Sequence, residues 1–523
     1  MDFKHIIKTD KWLQFALLLT FNVIVFILFA NIFPIRFLTN DDICMAWIAN
    51  GVTTGTPDCH LVFMHAIYGS FLAFLYNIVP NIEWYSVWFA VFHVVAISII
   101  ISFFYKKLQN KLIRWVVICL YYLLWFRIIQ FFQFTTTTAM LAFSGILLLC
   151  DRKYVIGGVL FLVSCMLRFG AAGLIGLLSI PLFVKFYHFE IKKYIPIAII
   201  LLVICGVHLS DKLFYQSDEW QDYCEYNHYR AIINDSPNNW ILNQSELPDN
   251  VSKENLQLLR DCNADPCQIS NADMKKMAEI INATPFLQKC HNLPYSIKHY
   301  PFYKLYLGFF LLMCVLFLFG TDGICNKVFI SFAFFLFIGV IWYISLNGNI
   351  KPRIVESICF VLFSYILLIS DSLNIVFSKK RYFVVVPLFM ACGILFIHEC
   401  SYMRTRPESN IEEQIQLITK TDDLKIVNLN PDFQIEQLSP FSLYKFPRTK
   451  FISSGWLVKS PFCKIHSFKE TVDSNIAFFI KGYSRISDYQ NAIKRNYNIE
   501  TDIDTIVNVE HYAIVSLHSK SDN

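Results

Sequence analysis

The sequence predicts a polytopic α-helical membrane protein of about eleven transmembrane helices, with a small α/β or α+β domain at its C-terminal end. Three observations carry that expectation. The chain is 55% hydrophobic and only 16% charged, where a soluble globular chain is about 25% charged. Apolar runs of the length that crosses a bilayer recur along it. Its basic residues gather at the ends of those runs, as cytoplasmic loops require. The formal net charge of +5 is small and has no basic face, so nucleic acid is not an expected partner.

The spans follow in order at 12–33, 84–105, 113–132, 134–150, 154–168, 170–186, 194–211, 302–320, 327–346, 354–372 and 382–400. The first lacks a small-residue cleavage site and reads as an uncleaved signal anchor. Lys4, Lys8 and Lys11 place the N-terminus in the cytoplasm. The strongly basic loop "KKLQNKLIR" (106–114) must then also be inside, so one of the runs 61–79 and 84–105 does not cross. The run 61–79 carries His60 just before it, His65, Gly69 and Asn77, and stops at Pro80. It reads as a helix lying in the outer interface. With that choice "DRK" (151–153), "KFYHFEIKK" (185–193) and "KKR" (379–381) all fall inside. Spans 154–168 and 170–186 are short and are separated only by "RFG".

Residues 1–400 form the membrane domain in this reading, and two larger connections lie outside: a first outer loop, 34–83, and a large outer loop, 212–300. Residues 401–523 form an extracytoplasmic domain. There "KIVNLN", "NIAFFIKG" and "TIVNVEHYAIVSL" have strand character, and "SDYQNAIKRNYN" reads as a helix. Six outer cysteines fall as two and four in the two loops, an even count that suits an oxidising compartment. Cys44–Cys59, Cys262–Cys267 and Cys224–Cys290 are the candidate disulfides. The spacings lack a clean zinc pattern.

The stretch that carries chemistry is "FLTNDDICMAWIANG" (37–51). Ile43, Trp47 and Ile48 have helical spacing, Thr39 or Asn40 can cap the helix, and Asp41 and Asp42 fall in its first turn. Acids there are good partners of the helix dipole without any further role. Their setting argues for more. A charge at the membrane surface has a cost and commonly a use. "GTPDCH" returns at once to an interfacial helix, and Arg36, Arg127, Arg168, Lys351 and Arg353 share the same outer level. A carboxylate facing guanidinium groups suits a reaction with a phosphate leaving group: the base takes a hydroxyl proton and the cations stabilise the departing phosphate. Snorkelling to headgroups is the plainer explanation for each lone arginine, and it is favoured for Arg36.

A signal anchor, an outer loop with an acidic pair, a glycine about nine residues on, a His-bearing interfacial helix and a Tyr/Trp-rich second span with a basic inner end together resemble the GT-C-type integral membrane glycosyltransferases. Protein O-mannosyltransferases and the lipid A aminoarabinose transferase are members. The resemblance is clearest over the first 150 or so residues, and "FTTTTAMLAFSGILLLCDRK" (134–153) resembles the family's fourth span. It implies a sugar donor on a polyprenyl or dolichyl phosphate, Asp41 or Asp42 as catalytic base, and Arg353 as a phosphate ligand. The family often shows Asp–Glu where this chain has Asp–Asp.

The implied function is transfer of a sugar from a polyprenyl-phosphate donor to an acceptor hydroxyl on a glycan, lipid or protein at the extracytoplasmic face, in cell-envelope or polysaccharide assembly. Arg168 or Arg230 would help Arg353 hold the phosphate. In "DEWQDYCEYNHYRAIINDSP" (218–237), Tyr226, His228 and Arg230 are candidates to line a sugar or phosphate pocket. An interfacial amphipathic helix explains the same residues slightly better. His65, on the interfacial helix, is a further substrate-binding candidate. No nucleotide loop is present. The sequence implies no particular cofactor, though two acids can share a divalent metal. The rival enzyme is a polymerase or ligase of lipid-linked repeat units, leaning on Arg230 and His228. A transporter is disfavoured because charges sit at span ends.

Overall fold

The structure is a computed structural model that describes residues 11–108, 111–187, 190–291, 324–348, 351, 353–358, 361, 411–421, 423–428, 435, 438–452, 455–481, 484–509 and 512–520. The expected spans 302–320 and 382–400, and most of 354–372, lie outside the described residues. So do Lys4, Lys8, residues 401–410 and "KKR" at 379–381.

The chain is an integral membrane protein, mostly helical, with a C-terminal sheet. Helix α1 (Lys11–Ile32) buries only Asn22, Phe26 and Phe29, and turns Trp12, Phe21 and Leu28 outward. A short strand β1 (Arg36–Phe37), helix α2 (Asn40–Asn50) and helix α3 (Ala66–Ile78) follow. Then come α4 (Trp84–Lys107), α5 (Lys111–Gln130), strand β2 (Phe131–Phe132) and α6 (Phe134–Cys150). Every residue of α6 is buried, so it is the axis of the bundle. Helices α7 (Tyr154–Leu167), α8 (Phe169–Leu178), α9 (Ile180–Tyr187) and α10 (Ile191–Phe214) complete this half. Helices α1, α4 and α10 are each long and apolar enough to cross a membrane.

Two devices hold these helices together where apolar side chains meet apolar lipid and burial gives little drive. Asn22 donates to the Ser98 hydroxyl at 2.8 Å and accepts from the Tyr122 hydroxyl at 2.6 Å, joining α1, α4 and α5. Gly145 and Gly157 let α6 and α7 touch backbone to backbone: a Cβ on Gly157 would lie 2.8 Å from the Gly145 carbonyl oxygen.

Two span expectations change in detail. The run 170–186 is a pair of helices, α8 and α9, bent by 45°. Pro181, second in α9, has no N–H to bond the carbonyl four residues back and crowds it, which favours a break just before it. The run 113–132 stops being helical at Gln130, because Phe131 and Phe132 pair in parallel with Arg36 and Phe37.

Between the apolar helices lie α11 (Asp218–Asp235), α12 (Lys253–Arg260), α13 (Asn271–Asn282) and α14 (Phe286–His291). Ser270 and Asp273 close a reciprocal capping box on α13. Helix α15 (Ile324–Asn347) covers the expected span 327–346. Residues 353–358 are helical.

The C-terminal part contains α16 (Ile411–Lys420), β3 (Lys425–Asn428), β4 (Phe451–Ile452), β5 (Ile476–Ile480), α17 (Ser484–Tyr497), β6 (Thr501–Val509) and β7 (Tyr512–Ser519). Its strands form one mixed sheet, ordered β4-β3-β5-β7-β6, with the β4/β3/β5 contacts parallel and β5/β7/β6 antiparallel. All of β5 is buried, as its unbroken apolar "IAFFI" requires of a central strand. The run "TIVNVEHYAIVSL" is two antiparallel strands.

Candidate active site

The site is built where α2 meets the start of α6. The β1–β2 pairing, extended by Leu38 N–H donating to the Phe132 carbonyl at 2.9 Å, ties the beginning of α2 to the beginning of α6. Thr39 is the N-cap of α2. Its hydroxyl bonds the Asp42 Oδ2 at 3.4 Å and no backbone N–H of the helix. Gly51 ends α2 at φ +86, and a Cβ there would lie 2.7 Å from the Thr56 carbonyl carbon, so only glycine fits the reversal.

The two acids have separate environments. Asp42 is fully buried. Its Oδ1 accepts from the Tyr85 hydroxyl at 2.9 Å and from the Phe134 N–H at 3.0 Å. The second donor is one of the unsatisfied N–H groups at the α6 N-terminus, so Asp42 caps α6 from a distance in sequence. Burial holds the Asp42 carboxyl well above the usual carboxylate range, although Tyr85 and Phe134 pull it down. Asp41 keeps 19% side-chain exposure, and its Oδ2 lies 3.6 Å from Arg353 Nη1, itself 13% exposed. Asp41 is thus the acid that meets an arginine.

Arg168 caps the junction of α7 and α8 and sits over the rings of Phe63 (5.3 Å) and Phe134 (5.0 Å). It is within electrostatic reach of Arg353, Asp41, Asp42 and Asp235. Lys351 bonds Asp235 at 2.8 Å. Arg353 and Arg168 thus share the surroundings of Asp41, while Lys351 is paired with Asp235. Arg127 is elsewhere engaged: it and Glu356 are both nearly fully buried, 3.5 Å apart, and its guanidinium covers the Phe131 ring. Arg36 bonds its neighbour's carbonyl, that of Ile35.

The outer-loop candidates lie apart from this group. Trp220, Tyr223 and Tyr226 of α11 are buried, and the Tyr223 hydroxyl donates to the Trp456 carbonyl at 3.0 Å. Trp220 packs edge-on to Phe462, and Lys459 lies over the Tyr226 ring. The aromatic face of α11 thus joins the loop to the C-terminal part. Arg230 is largely buried and donates its Nε to Asn227 at 2.9 Å; His228 is exposed against Tyr229. Among the described residues, no hydrogen bond or ion pair joins Tyr226, His228 or Arg230 to Asp41, Asp42 or Arg353. His65 is the N-cap of α3: Nδ1 accepts from Ile67 N–H, and Nε2 bonds the Val207 carbonyl at 2.7 Å. Both of its nitrogens are committed to the fold.

The expected disulfides are not formed. Cys44, Cys59, Cys224, Cys262, Cys267 and Cys290 all stand unbridged. The sulfurs meet other groups instead: Cys59 faces His60 Nδ1 at 3.6 Å, Cys262 accepts from Asn234 at 3.7 Å, and Cys267 contacts the Tyr497 hydroxyl at 2.8 Å. Among the described residues one group could hold a metal, Asp58, Cys59 and His60, whose ligand atoms lie within 4.8 Å of one another. His60 already spends Nδ1 on Asp58 and Nε2 on the Phe214 carbonyl.

Reading the sequence missed Tyr85, Glu83 and Phe134 as supports of the acids. The signal for two of them was "EWY" (83–85), an acid and a tyrosine at the lip of a span.

No family model matches the chain, and no curated protein matches it. Among solved structures, the chain is similar to the crystal structure of ArnT from Cupriavidus metallidurans in the apo state. That likeness has 10% identity over 97% of this chain and 98% of that one, with a TM-score of 0.42. The chain is also similar to the same protein bound to undecaprenyl phosphate, at 9% identity over 96% and 97% of the two chains and a TM-score of 0.45.

Proposed function

We propose that the chain is a membrane glycosyltransferase that moves a sugar from a polyprenyl-phosphate donor to an acceptor hydroxyl at the extracytoplasmic face, with Asp41 as general base. The observation that carries this reading is the Asp41–Arg353 contact in a partly open site, with Arg168 beside it. Before donor binds, the two charges compensate one another. A donor phosphodiester competes for Arg353 with a bidentate geometry that suits guanidinium. Asp41 is then released to take the acceptor's proton. The acceptor oxygen attacks the anomeric carbon, the bond from that carbon to the phosphate oxygen breaks, and the phosphate leaves with its electron pair toward Arg353 and Arg168. Asp42, buried under Tyr85 and Phe134, orients α2 and takes no proton from substrate.

The placement outside rests on the lysine pattern: the N-terminal lysines and the 106–114 loop on one side put α2 on the other. The test is transfer of labelled sugar from polyprenyl phosphate in membranes carrying Asp41→Asn, Asp42→Asn, Arg353→Ala or Arg230→Ala. Loss with Asp41→Asn and Arg353→Ala supports the reading. Full transfer by Asp41→Asn, with loss in Arg230→Ala, overturns it in favour of a polymerase or ligase working from α11.

A further inference from the structure

Glu83 stands directly before α4 and is only 2% exposed, an unusual place for a carboxylate. Its two oxygens are taken by donors far apart in sequence. The Tyr76 hydroxyl of α3 donates to Oε1, and the N–H of Tyr444, in the C-terminal part, donates to Oε2 at 2.9 Å. The Asn50 side chain, at the end of α2, lies beside it. The same stretch of chain makes further contacts. The Ser86 hydroxyl donates to the Pro440 carbonyl at 2.6 Å, and the Thr449 N–H donates to the Val52 carbonyl at 2.7 Å. Trp47 of α2 packs on Phe446 and Phe451, with ring centroids 4.8 and 5.5 Å away.

The contacts form a path to the acids. The Tyr76 hydroxyl accepts from the Tyr85 N–H at 3.0 Å, and the Tyr85 hydroxyl holds Asp42. From this geometry we propose that Glu83 is a positioning residue: through it, segment 439–452 of the C-terminal part straps α2 and sets the place of Asp41 and Asp42. The strap grips α2 at its far end through Trp47 and Val52, and at its near end through Glu83, Tyr85 and Asp42. The C-terminal part is thereby a component of the active site, although it supplies no reacting atom. A carboxyl group suits the post, since its two oxygens meet the Tyr76 hydroxyl and the Tyr444 N–H at once.

The consequence for transfer rests on the function proposed above; the strap itself does not. The test therefore has two arms, both on the full-length purified protein. In the first, hydrogen exchange is followed in peptides 40–52, 440–452 and 134–150 for the native chain, Glu83→Ala and Glu83→Gln. Glu83→Ala is expected to speed exchange in 40–52 and 440–452 together by about tenfold, the scale of one lost buried hydrogen bond, with 134–150 unchanged. Glu83→Gln, which keeps an acceptor for Tyr444 N–H, is expected to restore most of that protection. Unchanged exchange in both outer peptides overturns the proposal. So does faster exchange in all three that glutamine fails to rescue, since Glu83 would then be only a support of the whole fold. In the second arm, transfer from labelled polyprenyl-phosphate sugar is expected to lose kcat in Glu83→Ala with donor KM unchanged; a change in KM alone overturns the positioning role. Absence of transfer in the native chain sinks the function proposed above, and the exchange arm still decides the strap.

Discussion

Asp41 Oδ2 faces Arg353 Nη1 at 3.6 Å, while the adjacent Asp42 is fully buried and bonded to Tyr85 and Phe134. Adjacent residues thus hold a partly exposed carboxyl beside Arg353 and a buried one that caps α6. Asp41→Asn is expected to lower transfer by about 10²–10⁴-fold, the usual worth of a general base. Asp42→Asn can still accept from Tyr85 and Phe134 and is expected to keep most activity. Asp42→Ala strands two buried donors and is expected to cost about 1–3 kcal/mol for each. Parallel transfer assays and thermal melts separate the three variants.

Arg353 contributes both charge and a planar fork. Arg353→Lys retains the charge and loses the bidentate geometry. Its expected effect is a rise in donor KM of about tenfold, with Arg353→Ala weaker still, on the scale of about 1.5–3 kcal/mol for a charge-assisted hydrogen bond. Titration of initial rates with labelled donor checks the order; equal KM values in both variants and the native chain would refute it.

Burial pushes the Glu83 carboxyl up to about 8 from an ordinary 4.5, against the opposing pull of Tyr76 and Tyr444. A raised folded-state value means that the folded chain holds the proton more tightly than the unfolded one. That contribution to stability is complete below about 4.5 and is lost as pH rises through about 8. The melting temperature of the native chain is therefore expected to fall more steeply between those values than that of Glu83→Gln. Parallel curves for the two proteins would contradict this.

Gly69, on α3, lies against the chain just before that helix: a Cβ there would sit 2.0 Å from the Cys59 carbonyl oxygen. No flexible side chain can yield, because the obstacle is backbone. Gly69→Ala is expected to destabilise by about 1–3 kcal/mol, the range for overpacking, whereas Gly170→Ala, with open space around it, is expected to be neutral. Melts of the two variants side by side test this.

The six cysteines of residues 34–83 and 212–300 are unbridged. A thiol reductant is therefore expected to leave the melting temperature unchanged, where loss of a native disulfide would cost about 2–5 kcal/mol. Exposed Cys267 is expected to label with maleimide before buried Cys44.

Several elements were legible in the sequence because each is settled by local pattern. The apolar run 134–150 is α6 to the residue, and "FLTNDDICMAWIANG" holds a helix with both acids in its first turn, though Thr39 makes no cap bond to its backbone. A helix within the run 61–79 and strands of the C-terminal sheet could also be read, though the expected span 170–186 is two helices and "TIVNVEHYAIVSL" is two strands. Periodicity and chain punctuation are properties of neighbours in sequence, so one sequence suffices for them.

The division of labour between Asp41 and Asp42 could not be read that way. Both lie in the first turn of the same helix, and by local pattern either could react. Their difference comes from Phe134, 92 residues on, whose N–H takes Asp42. It comes equally from Arg353, which reaches Asp41 from far along the chain. The approach of Arg168 to Arg353, the engagement of Arg230 and Tyr226 within the α11 packing, and the strap at Glu83 are likewise long-range. Hydrogen bonds and ion pairs act over a few ångströms in space, whatever the distance in sequence. The residue types and their local helices came from the sequence; which carboxylate is open, and what holds it there, came from the tertiary structure.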